Sequence, residues 1–267
     1  MCGTCGCSDK NLVHIHHNHQ HDHEHSHEHS HEHHHEHSHH HGNGHHHPKK
    51  QEKTVKLQES VLQKNEVFAQ QNRAFFRDKG LLVLNLVSSP GSGKTSLLER
   101  TAFEVQEKLS CGVVVGDLET DNDAQRLQQK GIPTIQITTG TLCHLEADIV
   151  LQAAQQLDLD SLDVLIVENV GNLVCPASYD LGENLRVVML STTEGEDKPL
   201  KYPTMFKSAD VVLLNKVDIA EVVGFDRDKA LMNIQKMNPQ ATIFEVSAKT
   251  GEGMQGWYDY LVKYGVS

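Results

Sequence analysis

An apolar run that ends in a glycine-rich turn constrains this chain more than any other feature. Leu81 to Val87 reads as a buried strand and stops at Ser88-Ser89-Pro90-Gly91-Ser92-Gly93-Lys94-Thr95. A helix-compatible segment, Ser96–Lys108, follows. Strand, turn and helix in that order place Gly-Lys-Thr at a helix mouth, where backbone amides and the helix dipole favour phosphate. Lys94 is placed to reach the terminal phosphates, and Thr95 to offer its hydroxyl to Mg²⁺. The pattern GxxxxGK[ST] wants glycine at position 88; serine stands there, small enough for the turn. The plainer alternative is a chance Gly/Ser loop.

Beyond that turn, apolar runs alternate with helical patterns. Val113–Val115, Thr134–Thr138, Val164–Val167, Val187–Leu190, Val211–Leu214 and Ile243–Val246 read as buried strands. Helices are expected near Asn122–Lys130, His144–Gln156, Lys201–Lys207, Asp226–Met237 and Met254–Lys263. The alternation predicts an α/β fold with a mostly parallel sheet flanked by helices, and ligands at the carboxyl ends of the strands. The remaining motifs fall at those ends. Asp117 closes the second strand and is placed to hold Mg²⁺, directly or through water. In the same acidic stretch, Asp121 or Asn122 can simply cap the next helix. Glu168 closes the fourth, in Glu168-Asn169-Val170-Gly171, the position of DxxG with glutamate for aspartate. There Gly171 can offer its amide to a γ-phosphate and change conformation on hydrolysis.

Asn215-Lys216-Val217-Asp218 is the sharpest selectivity signal. An aspartate carboxylate can accept from both guanine N1–H and the 2-amino group. Adenine lacks that donor pair, so the carboxylate would stay buried and unpaired. Ser247-Ala248-Lys249 fits a backbone support behind the ring.

The chain opens Met1-Cys2-Gly3-Thr4-Cys5-Gly6-Cys7, three thiols able to wrap one soft or borderline metal ion. Redox chemistry or an incidentally cysteine-rich terminus are the alternatives. Residues 14–47 hold every histidine but one of the chain's 21, interspersed with Glu, Ser and Asp. Almost nothing there can be buried, so disorder is expected, with imidazoles available to Ni, Zn or Cu, or else serving as a solvated spacer. The expected divisions are a metal-binding tail over 1–50, a lead-in helix over 51–80 packed on the domain, and a nucleotide-binding domain over 81–267. A net charge of −12 argues against nucleic acid as main partner, and no apolar run suffices to span a membrane. No secretory segment is readable, so a cytoplasmic protein with reduced cysteines is expected. Within the domain, Cys143, His144 and Cys175 are further candidate ligands; by spacing alone, buried structural thiols explain them as well. Cys111, at a strand start, reads as structural.

Taken as a set, the opening CxxCxC, the histidine tract, SSPGSGKTS, Glu168–Pro176 and Thr193–Pro203 (TEGEDKPLKYP) resemble the HypB family of hydrogenase nickel-incorporation GTPases. The resemblance implies a dimerising P-loop GTPase of the SIMIBI type that hydrolyses GTP to GDP with Mg²⁺. It would deliver Ni²⁺ to the [NiFe]-hydrogenase large subunit precursor alongside a HypA-type accessory protein. It implies Cys2, Cys5 and Cys7 as a tight nickel site. Cys143, His144 and Cys175 become a Zn²⁺ or Ni²⁺ site at the dimer interface. Thr95, Asp117 and Glu168 become the Mg²⁺ set. Lys94, Asp117 and Glu168 are the catalytic residues expected. Gly91, Ser92, Gly93, Lys94, Thr95, Ser96, Asn215, Lys216, Asp218, Ser247, Ala248 and Lys249 would bind the nucleotide. Lys198 or Lys201 would reach a partner's nucleotide, unless that loop is merely solvated. Turnover is expected to be slow, because no catalytic Gln or Arg finger is readable. Competing readings are a urease-type nickel GTPase and a passive nickel or zinc storage protein. The opening CxxCxC and the Val174-Cys175-Pro176 segment favour the hydrogenase branch, and intact Lys94, Thr95 and NKxD speak against storage alone.

Overall fold

The computed structural model describes residues 14–16 and 49–265, with side chains from residue 59 onward. Cys2, Cys5 and Cys7 lie outside the described residues, as does the histidine-rich run apart from a three-residue strand, β1 (His14–His16). The elements then run α1 (Lys49–Asp78), β2 (Leu82–Ser88), α2 (Lys94–Val105), β3 (Cys111–Asp117), α3 (Asn122–Gln129), β4 (Thr134–Thr138), α4 (Ala147–Ala154) and β5 (Val164–Glu168). They continue with β6 (Leu185–Ser191), α5 (Lys198–Lys201), α6 (Pro203–Lys207), β7 (Val211–Asn215), α7 (Arg227–Met237), β8 (Thr242–Val246) and α8 (Met254–Gly265).

The sheet order is β1-β4-β3-β5-β2-β6-β7-β8. Strands β2 to β8 pair in parallel, and β1 adds antiparallel to β4. Every residue of β2 is buried, as a parallel strand covered on both faces requires. Alternation along it splits the core. Leu82, Leu84 and Leu86 pack with Leu97, Leu98 and Trp257, from α2 and α8. Val83 faces the other way, with Phe76, Val150 and Ala153 from α1 and α4. Val87 continues that second face with Met205, Phe206 and Ile234, from α6 and α7. Burying each such large side chain contributes roughly 1.5–3 kcal/mol relative to leaving it in water.

Polar clamps tie the lead-in helix to this body. Asn72, fully buried, donates from Nδ2 to the carbonyls of Ala147 (2.7 Å) and Leu181 (2.9 Å). Asn65 donates to Asp180 O and accepts the Ala147 amide, each at 2.8 Å.

Strand β5 inserts between β2 and β3, while β6 leaves on the far side of β2. The chain therefore reverses direction across the sheet at β2, and the crevice at its carboxyl end is where such a sheet takes ligands. The glycine-rich turn occupies that position.

Two helices differ from their sequence expectation. The helix expected from His144 begins at Ala147, leaving Cys143 and His144 in a loop. Side-chain bonds fix that loop outside the helix: Thr139 Oγ1 donates to the Leu142 carbonyl at 2.8 Å, and Asn172 Nδ2 donates to the Cys143 carbonyl at 3.1 Å. The helix expected over Lys201–Lys207 is split into α5 and α6 at Tyr202, which has φ −122° and ψ 55°. Pro203 lacks an N–H and crowds the residue before it out of helical geometry.

Candidate functional site

The glycine-rich turn departs from β2 and enters α2 through two left-handed residues, Gly91 (φ +72°) and Gly93 (φ +99°). Ser88 does more than replace a glycine. Its Oγ receives Ser92 Oγ at 2.6 Å and Lys94 Nζ at 3.1 Å, drawing the loop closed over the start of the helix. Thr95 Oγ1 donates to Glu168 Oε1 at 3.1 Å, joining the helix mouth to the end of β5, the strand paired with β2.

Burial governs the electrostatics here. It lowers the Lys94 ammonium from its ordinary range, against the opposing pull of the Glu168, Asp123, Asp117 and Glu194 carboxylates. It pushes Glu168 up to about 7, against the attraction of Lys94. Both charges are thus penalised by desolvation, and phosphate beside Lys94 or a cation beside Glu168 would offset that penalty. Glu168 Oε2 is buried without a hydrogen-bond partner, so the Thr95/Glu168 pair fits a hard divalent cation such as Mg²⁺. Asp117 lies at the carboxyl end of β3, and its Oδ1 accepts the amides of Glu119 (3.1 Å) and Thr120 (2.9 Å). Asp123, not singled out from the sequence, adds to the same negative field. Asp121 sits at the N-cap of α3 without capping it; its Oδ2 takes Gln125 Nε2 at 2.7 Å.

The base motif closes on this loop from β7. Asn215 donates from Nδ2 to the Ser92 carbonyl at 2.9 Å and accepts the Ala248 amide at 3.1 Å. One side chain thereby ties the phosphate loop to the Ser247–Lys249 turn. Lys216 has φ +65°, alone among the described non-glycine residues in the left-handed region. Thr192 Oγ1 holds its carbonyl at 2.9 Å, and its Nζ reaches the Gly91 carbonyl at 2.8 Å. Asp218 Oδ1 is buried with no partner, an acceptor suited to the paired donors of guanine. Arg100 braces the opposite wall, donating to the carbonyls of Ala248 (2.7 Å) and Lys249 (3.0 Å). Gly93, Ser96, Arg100, Asn215, Asp218 and Lys249 line a cleft of about 1240 Å³. Phe103 and Ile132 also line it.

Cys143, His144 and Cys175 converge beyond the carboxyl ends of β4 and β5. Their ligand atoms lie within 4.8 Å of one another, the one such group of metal-binding type among the described residues. The two sulfurs are 2.6 Å apart and not joined in a disulfide; Cys143 Sγ lies 3.9 Å from His144 Nδ1. His144 is buried, which lowers its pKa to about 4 and keeps the ring neutral, the form that binds metal. Its Nε2 makes no hydrogen bond, with Glu146 Oε1 3.9 Å away, and its ring stacks on Tyr179 at 3.8 Å. Two thiols and a neutral imidazole suit Zn²⁺ or Ni²⁺ and leave a coordination position for a further donor.

One segment spans the two centres. Asn169 Nδ2 bonds Asn85 Oδ1 of β2 at 3.1 Å, and a Cβ at Gly171 would meet Pro90 Cγ at 3.0 Å. Asn172, next along, bonds the Cys143 carbonyl and takes the Val174 amide at 2.9 Å. Three residues later comes Cys175. Asn169 and Asn172 lie inside a motif visible in the sequence, but their partners are distant in the chain and only the fold reveals them. The charged loop turns its cations onto its own carboxylates. Lys198 lies 3.4 Å from Glu194, and exposed Lys201 lies 2.7 Å from Asp197. Cys111 is buried at the start of β3, as a structural thiol should be.

Comparison with known proteins gives one consistent result. Residues 82–245 match the family model described as CobW/HypB/UreG, nucleotide-binding domain. The chain is 49% identical over 211 residues to the hydrogenase maturation factor HypB of Escherichia coli K12, covering 79% of this chain and 73% of that one. It is 44% identical over 222 residues to the hydrogenase/urease maturation factor HypB of Helicobacter pylori, covering 82% and 91%. Among solved structures, it is similar to Helicobacter pylori HypB in complex with nickel, at 44% identity and TM-score 0.73, over 76% of this chain and 95% of that one. It is likewise similar to the hydrogenase maturation factor HypB from Archaeoglobus fulgidus, at 40% identity and TM-score 0.71, over 76% and 98%.

Proposed function

Since the chain belongs to the HypB family of hydrogenase maturation factors, within the CobW/HypB/UreG nucleotide-binding group, we propose that it is a GTP-hydrolysing nickel carrier serving [NiFe]-hydrogenase assembly. The observation that carries this reading is the single segment Glu168–Cys175. It begins at the phosphate loop through Thr95 and Pro90 and ends at a metal ligand.

In this reading the amides of Gly91, Ser92, Gly93 and Ser96 cradle the phosphates of GTP, and Lys94 pairs with the terminal ones. Asn215, Lys216 and Asp218 read the guanine, with Ser247, Ala248 and Lys249 behind it. Thr95, Asp117 and Glu168 would hold Mg²⁺, which when bound supplies positive charge against the developing charge on the transferring phosphoryl group. No catalytic glutamine or arginine finger is readable in the sequence, so slow turnover is expected. A γ-phosphate sensed at Gly171 moves the segment, and with it Asn172 and Cys175 relative to Cys143 and His144. Nucleotide state thereby changes the grip on the cargo nickel, and linkage requires nickel to change nucleotide affinity in return.

The domain trio carries the transferable ion, Ni²⁺ or Zn²⁺, in a homodimer whose second copy fills the open coordination position. Lys198 or Lys201 would exchange its own carboxylate for the partner's nucleotide. Cys2, Cys5 and Cys7 form a tight nickel site, and the histidine tract adds capacity for storage. The accessory partner is of HypA type, the client is the large subunit precursor, and the compartment is the cytoplasm. The described residues include no helix long and apolar enough to cross a membrane. The Helicobacter pylori relative's description as a hydrogenase/urease factor favours one second reading, nickel supply to urease.

The test measures GTP hydrolysis by the full chain, with and without Mg²⁺ and Ni²⁺. It is paired with hydrogenase and urease activity in a strain lacking the gene, with and without added nickel. Mg²⁺-dependent hydrolysis that responds to nickel, and a hydrogenase defect relieved by nickel, are expected. Full hydrogenase activity in the deletion strain at low nickel would refute the role.

A further inference from the structure

Arg186, the second residue of β6, is a charged group in the interior, 9% exposed. Its five N–H donors are all engaged. Nε and Nη2 meet Glu183 Oε1 at 3.0 and 2.8 Å, and the remaining Nη2 donor takes the Tyr179 carbonyl at 2.9 Å. Nη1 reaches the Ala177 carbonyl at 3.4 Å and Ser208 Oγ at 3.1 Å. Glu183 also takes Asn85 Nδ2 at 3.1 Å and the Leu181 amide at 2.7 Å. Asn85 is the register partner of Arg186 and passes the network on to Asn169 of the switch segment.

Taking both charges of such a pair out of water costs several kcal/mol per ion, so stability alone is a poor reason to keep it. What the guanidinium holds is specific. Ala177 and Tyr179 belong to the irregular turn that begins at Cys175, and the Tyr179 ring lies on His144 at 3.8 Å. Two of the three converging ligands therefore depend on where this turn sits. A planar fork aims five donors in fixed directions at two carbonyls, a carboxylate and a hydroxyl; a lysine ammonium offers three donors from a single point and cannot reproduce that spread.

We propose that Arg186 is a positioning residue of the Cys143/His144/Cys175 metal site. It clamps the 175–179 turn to β6, so that Cys175 and the Tyr179-backed imidazole meet at one ion. The proposal rests on the reading of that trio as a metal site. Groups that orient metal ligands typically account for a 10- to 100-fold change in affinity.

The test uses the full chain carrying Cys2→Ala, Cys5→Ala and Cys7→Ala, so that tail thiols add no sulfur-to-metal charge transfer. Ni²⁺ is titrated and the thiolate–nickel absorption band is read. A nickel buffer fixes the free ion, so the histidine tract common to all variants does not enter the comparison of midpoints. Arg186→Lys is expected to shift the midpoint of the band 10- to 100-fold toward higher nickel while leaving GDP affinity within twofold. Glu183→Gln/Arg186→Met removes the ion pair and the clamp together, keeps an acceptor for Asn85, and is expected to show the same shift. A midpoint unchanged in both variants overturns the proposal. So does a parallel loss of GDP binding in both, which assigns Arg186 to the fold at large. If the parent protein develops no band, or keeps it after Cys143→Ala, the metal-site reading itself falls.

Discussion

In Gly93→Ala, the added methyl would lie 2.8 Å from Asn215 Nδ2, at a backbone position with φ +99°. Two costs follow. The left-handed backbone costs a residue with a side chain about 1–2 kcal/mol. The clash also displaces Asn215, which joins the Ser92 carbonyl to the Ala248 amide. Those two hydrogen bonds are worth about 1 kcal/mol each. The folded state should therefore lose about 3–4 kcal/mol. The share passing through Asn215, about 2 kcal/mol, also loosens the base site and corresponds to roughly 30-fold in guanine nucleotide affinity. Gly224→Ala separates the two costs. Its φ is +67° with nothing within 4 Å of the new methyl, so it should pay the backbone cost alone. Denaturant unfolding gives the stabilities, and titration with a fluorescent GDP analogue gives the affinities. Nucleotide affinity in Gly93→Ala within threefold of the unsubstituted protein would refute the coupling through Asn215.

Asp218→Asn replaces the buried acceptor by an amide and should shift preference from guanine to xanthine nucleotides; competition binding checks it, and retained guanine preference counts against the base assignment. Cys175→Ala should leave GTP bound while abolishing the response of hydrolysis to nickel; an unchanged response would break the link between switch and metal. Cys111 is buried, and burial with the nearby Asp163 carboxylate pushes its thiol up to about 12, so peptide mapping after alkylation at pH 8 should find it unmodified while Cys143 and Cys175 react. Because that pKa is raised, its contribution to stability is whole below the ordinary thiol value and is lost as pH rises toward 12. The stability of the unsubstituted protein relative to Cys111→Val should accordingly hold to about pH 9 and fall above it. Asn72→Ala strands two buried carbonyls and should cost about 2–3 kcal/mol in denaturant unfolding; a loss under 1 kcal/mol would show that Asn72 does not clamp α1 to the body.

Sequence alone determined the strand–turn–helix at Leu81–Leu98, the alternation of strands and helices, and the phosphate and guanine motifs. Each depends on neighbours within a few residues, where periodicity and side-chain chemistry act directly. Even the break at Tyr202 was written locally, in Pro203. Only the tertiary structure decided the rest. Strand β5 slips between β2 and β3, and this alone sets Glu168 against Thr95. A loop after β4 and a turn after β5 bring His144 and Cys143 to Cys175, although spacing favoured a metal no more than ordinary buried thiols. Arg186 precedes the apolar run Val187–Leu190 and belongs to no motif; packing alone buries it and aims every donor. Parallel strands join residues far apart in the chain, so contacts made across them depend on strand order and register, which no local pattern encodes.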